Sequence, residues 1–186
     1  MLKSQHNLKK LTLLSIPSVN FSLISNMLKS TTNLTYLCIR NTHYMWSLFK
    51  QPIILPHLEH LELEDSRIFT ELGFVRNMPT SDEMRRRLLD FSCLQTLIIS
   101  DRFTRHAMKV LTDSLSGNGL EFLPSLRAIK LSINNDAHPE NPVKFGTYVM
   151  PFVDTVLANF PGMSNVHFNY IAQTSSALQF FTVEVN

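Results

Sequence analysis

Residues 55–66, LPHLEHLELEDS, decide how this chain is read. Their frame is Leu58, Leu61 and Leu63, spaced by three and then by two. On an α-helix, at about 100° per residue, Leu63 would sit about 140° round from Leu58, so the three cannot form one helical stripe. On a strand, residues two apart share a face. Leu61 and Leu63 then point one way, and His60, Glu62 and Glu64 point the other. Leu58 joins the first set from the preceding turn.

The frame recurs on both sides of this stretch. It stands at Leu34/Leu37/Ile39, Leu94/Leu97/Ile99 and Leu126/Ile129/Leu131, with Leu8/Leu11/Leu13 before them. Met163/Val166/Phe168 and Leu178/Phe181/Val183 follow in weaker form. Successive unit starts are 26, 24, 36, 32, 37 and 15 residues apart. A repeated in-phase triplet predicts one short strand per unit, near 11–14, 36–40, 60–64, 96–100, 128–132 and 165–169. The last gap is too short for strand, turn and helix, so the seventh triplet reads either as a closely paired terminal strand or as the point where the repeat alignment ends.

These triplets resemble the leucine-rich repeat family, whose motif is L-x-x-L-x-L-x-x-N/C-x-L with regular repeats of about 20–29 residues. The resemblance spans residues 8 to 185. At the family's Asn/Cys ladder position this chain has Ile16, Thr42, Ser66, Arg102, Asn134 and Ile171; only Asn134 is the family's residue. Thr42 and Ser66 carry hydroxyls able to bond a turn backbone. The resemblance implies an α/β fold, a right-handed solenoid or horseshoe with a curved parallel sheet inside and helices outside. It further implies a single domain over 1–186 with six to seven irregular repeats. A solenoid covers its end layers with polar caps, and none is visible near Leu11/Leu13 or Phe181/Val183, so the chain reads as a fragment of a longer protein, or as one whose ends are completed by flanking residues or a partner.

Between the strands, helical spacing is clear in places. Phe21, Ile24 and Leu28 mark a helix within 19–29. The connector His43 to Phe49 is apolar and holds the sole tryptophan, Trp46, which reads as a packing residue. Ser81-Asp82-Glu83 opens a helix with Met84, Leu88 and Leu89 on its apolar stripe and Arg85, Arg86 and Arg87 mostly opposite. A helix over 103–115 stops at Gly117-Asn118-Gly119. Residues 134–144 read as loop. The following stripe of Phe145, Tyr148, Val149, Phe152, Val153, Val156, Leu157 and Phe160 is the most regular of the chain. Pro151 in it is tolerable only near a first turn.

Composition narrows function. Of 186 residues, 44% are hydrophobic and the net charge is only +2, which gives no global field for nucleic acid or membrane. No apolar run approaches the roughly 18 residues of a membrane span. The run Leu11–Ile16 is too short for a signal peptide. Cys38 and Cys93 form no metal or disulfide pattern and fit a reducing compartment, cytoplasmic or nuclear. The acceptor-like triplets at Asn20 and Asn33 are chance matches without a secretory signal.

Chemistry is sparse. His57 and His60 are three apart but would face differently on a strand. His60, Glu62 and Glu64 would share a face and could approach a metal, yet three polar residues on an open sheet are ordinary. His106, Asp113 and Ser114 lie in one helix without a motif that makes them a triad. No nucleophile motif is present. The expectation is no enzyme activity, no metal and no cofactor.

What the repeats offer is a surface. The phase that buries the leucines turns the alternate residues outward, Tyr36, Arg40, His60, Glu62, Glu64, Lys130 and His167 among them. These seven are the candidate partner-binding residues. Their mixture of rings and both charges suits a protein partner, where aromatic and Arg anchors dominate, and lacks the clustered cations of a phosphate-binding face. The irregular repeat lengths and mixed helices also resemble the repeat region of F-box proteins. That resemblance implies substrate selection for an SCF-type ubiquitin ligase, with a Skp-type adaptor as partner only if an F-box precedes this segment. The alternative is a generic scaffold or immune-receptor-type repeat region.

Overall fold

The protein is seen in a computed structural model that describes residues 7–14, 21–40, 53–64, 80–101, 105–116, 123–135, 142–173 and 178–185. Six strands run parallel in chain order: β1 (Lys10–Leu14), β2 (Tyr36–Arg40), β3 (His60–Glu64), β4 (Thr96–Asp101), β5 (Ala128–Asn135) and β6 (Asn165–Gln173). A last strand, β7 (Leu178–Val185), pairs antiparallel with β6. The four residues between β6 and β7 suffice for a reversal but not for a parallel crossover, which needs a dozen or more. Of the two readings its spacing allows, the seventh triplet is thus the closely paired terminal strand. Among the described residues there are four helices: α1 (Phe21–Lys29), α2 (Ser81–Leu89), α3 (Arg105–Leu115) and α4 (Pro142–Asn159).

The strand register is the register of the triplets. Leu11, Leu37, Leu61, Leu97, Ile129 and Val166 are successive partners across the sheet, and Leu13, Ile39, Leu63, Ile99, Leu131 and Phe168 follow two residues on. From β2 to β5 these positions are fully buried. They share one core with Ile24 and Leu28 of α1, Met84 and Leu88 of α2, Met108 and Leu111 of α3, and Phe152 and Val156 of α4. The helices therefore cover one face of the sheet. Leu11 and Leu13, on the edge strand, are only partly buried.

Each unit is aligned by the same two devices. Before the strand comes a tight turn, in which the N–H groups of Leu34, Leu58, Leu94, Leu126 and Met163 donate to the carbonyls of Thr31, Leu55, Phe91, Leu123 and Phe160, at 2.9 to 3.1 Å. Three of these turns carry Pro56, Pro124 or Pro161 at their second position, where the fixed φ of proline suits the bend. At the strand start, a single carbonyl accepts two N–H groups of the next unit. Lys9 O takes Thr35 and Tyr36, Thr35 O takes Glu59 and His60, and Glu59 O takes Gln95 and Thr96. Gln95 O takes Arg127 and Ala128, and Arg127 O takes Ser164 and Asn165.

The helices show where sequence spacing misleads. α2 is fixed by Thr80, whose hydroxyl accepts from Glu83 N–H while the Glu83 carboxylate accepts from Thr80 N–H. This capping box starts the helix at Ser81, as expected. Leu89, assigned to the stripe, is instead 49% exposed, and Leu157 of α4 is 40% exposed. Leu89 directly follows the buried Leu88, about 100° further round, and the core takes only the narrower arc through Met84 and Leu88. Leu157 lies in the same relation to Val156. Residues 134–144 are not all loop: β5 runs to Asn135 because β6 extends beside it, pairing Asn134 with Ile171 and Asn135 with Ala172. Asn134 thus lies in a strand. α4 begins at Pro142, which places Pro151 in mid-helix. An interior proline removes one i→i−4 donor, and Pro151 does so on the exposed side, where solvent reaches the backbone. The ladder positions Ile16, Thr42, Ser66 and Arg102, along with Trp46 and Gly117–Gly119, lie outside the described residues.

Candidate functional site

The sheet face opposite the helices carries the alternate residues of each strand. Tyr36, His60, Thr96, Ala128 and Asn165 form one cross-strand row; Cys38, Glu62, Ile98, Lys130 and His167 form the next; Arg40, Glu64, Ser100, Ser132 and Asn169 form the third. All seven residues expected to face outward on this surface do lie in these rows. The structure divides them into two groups.

The first group is a connected node across β2 and β3. The Tyr36 and His60 rings stack with centroids 4.6 Å apart and planes 11° from parallel. Direct cross-strand partners are close enough for such stacking. Arg40 donates through Nη2 (2.6 Å) and Nε (3.0 Å) to Glu62 Oε1, and its Nε lies 3.4 Å from Glu64 Oε2. The Tyr36 hydroxyl donates to Glu62 Oε2 at 3.4 Å, and His60 Nε2 lies 3.8 Å from the same oxygen. Lys10 Nζ sits 6.0 Å from the Tyr36 ring centre, near the limit of cation–π attraction. Glu62 is the hub, which differs from its expected role as an open surface group. Its side chain is only 12% exposed, against 46% for Arg40, because neighbouring side chains close over it.

Electrostatics follow from this packing. Burial pushes the Tyr36 hydroxyl above its ordinary pKa, and neighbouring Cys38 and Glu62 add to the shift. Cys38, beneath the node and 1% exposed, is also raised by burial and then by Glu62, with Arg40 partly opposing. The Cys38 thiol is therefore protonated and shielded, which is the opposite of a reactive cysteine. Hydrogen bonds to Glu62, and then its charge, raise Arg40.

The second group is Lys130 with His167, adjacent partners on β5 and β6, two strands from Glu62 and separated from it by Ile98. At about 4.8 Å per strand, Lys130 stands roughly 10 Å from the node. Sequence alternation placed both groups on one face but gave no sign that they were separate.

Elsewhere the weighed clusters resolve into local packing. Ser114 is buried and donates to Val110 O, while Asp113 pairs with Lys109 at 2.8 Å. Arg87 pairs with Asp90 at 3.1 Å and Arg86 Nε donates to Asp82 O. A shallow groove of about 450 Å³ crosses the strand starts, lined by Lys9, Asn33, Thr35, His57, Glu59 and the exposed Cys93. It is built by the repeated turns, in which Asn33, His57 and Cys93 hold the third position. No group of three His, Cys, Asp or Glu among the described residues could hold a metal ion. No described helix is long and apolar enough to cross a membrane.

No family model, curated protein or solved structure matches this chain.

Proposed function

We propose that this chain is a leucine-rich-repeat-type solenoid, a horseshoe with the sheet inside, whose open sheet face binds a protein partner. The observation that carries the reading is the open face itself: six parallel strands in one register present rings and both charge signs on a surface that no described helix covers. The five repeated turns and the five two-donor carbonyls support the solenoid, since each unit relates to the next by the same contacts. The pre-formed Tyr36–His60–Glu62–Arg40 node supports binding, because its side chains are already ordered and lose little entropy on association. The resemblance of the irregular repeats to those of F-box proteins makes substrate recognition for an SCF-type ubiquitin ligase the particular role proposed. The free thiols of Cys38 and Cys93 agree with a cytoplasmic or nuclear setting.

The test exchanges charges at exposed positions. Glu64→Lys with Lys130→Glu reverses two ends of the open face without changing net charge. Arg86→Glu with Lys109→Glu alters α2 and α3 and is the control. In quantitative pull-downs from source lysate, with folding checked by circular dichroism, the face variant is expected to lose the partner and the helix variant to keep it. The reverse result would move binding to the helical side and defeat the proposal.

A further inference from the structure

Charge on the open face is unevenly satisfied. Arg40 is matched by two carboxylates, Glu62 and Glu64. Lys130 is not: its neighbours across the strands are Ile98 and His167, and along its own strand Ala128 and Ser132. None is acidic, and the diagonal positions on β4 and β6 are Thr96, Ser100, Asn165 and Asn169. Among the described residues, Lys130 is therefore an exposed ammonium with no carboxylate at an adjoining position; the acidic positions of its cross-strand row, Glu62 on β3 and Glu184 on β7, are each two strands away.

We propose that the β4–β6 half of this face, centred on Lys130, takes an extended acidic segment of the protein partner. The proposal rests on the open-face reading above and names the partner's chemistry. A cation without a local counter-ion attracts a carboxylate without first breaking an existing pair. Arg40 offers no such gain, because a partner's carboxylate would have to displace Glu62. Shape agrees with charge. The β2–β3 half is filled by two stacked rings and a guanidinium, whereas Ala128, Ser100 and Ser132 leave a low floor beside the node. Ile98, half-buried between Glu62 and Lys130, supplies an apolar contact next to the charge. The span from β4 to β6 is about 10 Å, the length of about three extended residues. One acidic residue flanked by an apolar one therefore matches the surface. Basic segments are disfavoured by Lys130, since like charges across an interface are strongly selected against.

A random-peptide phage library selected on the intact chain is the probe. Enriched peptides are then synthesised and titrated by fluorescence anisotropy. Acidic residues are expected to dominate the enriched set. Lys130→Glu should weaken these peptides about tenfold, Lys130→Arg should restore them, and Ala128→Tyr should block them by filling the floor. Asn165→Tyr, at an exposed position, replaces Ala128→Tyr if that variant does not fold. Peptides without acidic bias that are still blocked by the tyrosine would overturn the acidic assignment and leave the open-face reading standing. Peptides indifferent to both the tyrosine and Lys130→Glu would overturn both, as would a failure to enrich any peptide.

Discussion

Arg40 Nη2 lies 2.6 Å from Glu62 Oε1, and this contact ties β2 to β3 on the face opposite the helices. Residues 22 positions apart in the chain meet there because the parallel register sets Cys38 beside Glu62 and Arg40 beside Glu64. Arg40 is about half open to solvent while Glu62 is largely covered, so the pair's strength is partly moderated by screening. A double-mutant cycle of Arg40→Ala and Glu62→Gln is expected to give a coupling of about 1 kcal/mol that shrinks with added salt. Urea titrations of the four proteins at two salt concentrations measure it.

Leu61 and Leu11 hold the same register position but differ in cover: Leu61 is fully buried on the third strand and Leu11 is partly buried on the edge. Leu61→Ala should cost roughly 2–5 kcal/mol, as core truncations do. Leu11→Ala should cost about 1 kcal/mol, in proportion to the smaller area it buries. Equal losses in denaturant midpoint would mean that the edge strand is covered as completely as the centre.

Alkaline pH should weaken the fold through Cys38 and Tyr36. Both are raised above their ordinary values, 9.0 for the thiol and 10.0 for the hydroxyl, mainly by burial. Below about pH 9 folded and unfolded chains both hold these protons, and the stabilisation is complete. As the pH climbs further, the unfolded chain gives up its protons first, so stability declines until the raised folded values are passed. Urea midpoints should therefore fall from about pH 9 upward, and Cys38→Ala should flatten the first part of the decline.

Thr80→Ala removes the hydroxyl that accepts from Glu83 N–H and opens the capping box of α2. The expected cost is about 1 kcal/mol. Thr80→Ser, which keeps the oxygen, should recover most of it. Thermal melts followed at 222 nm distinguish the two.

The strands were legible because a period of two, repeated in phase, leaves a leucine pattern that no helix can share. The sequence also carried the direction of each side chain, so all seven candidate residues were placed on the right face. It did not carry the cover over Glu62, which depends on Tyr36 and Arg40 arriving from another strand. Nor did it separate Lys130 from the node, because that requires knowing that Ile98 stands between them. Leu89 and Leu157 were misplaced because a helical stripe read from spacing is wider than the arc that packing against the sheet buries. Pro151 was misjudged for the same kind of reason: whether an interior proline is tolerated depends on which side of the helix meets solvent.

The two-donor carbonyl at each strand start means that a unit takes its alignment from its immediate predecessor and from nothing further back. Lengths between unit starts can then vary, as they do from 24 to 37 residues among the first six units, without shifting any side chain to the wrong face. Insertions and deletions are absorbed where they arise. The segments outside the strands are therefore free to diverge or to acquire new contacts, while the open sheet face keeps a constant geometry.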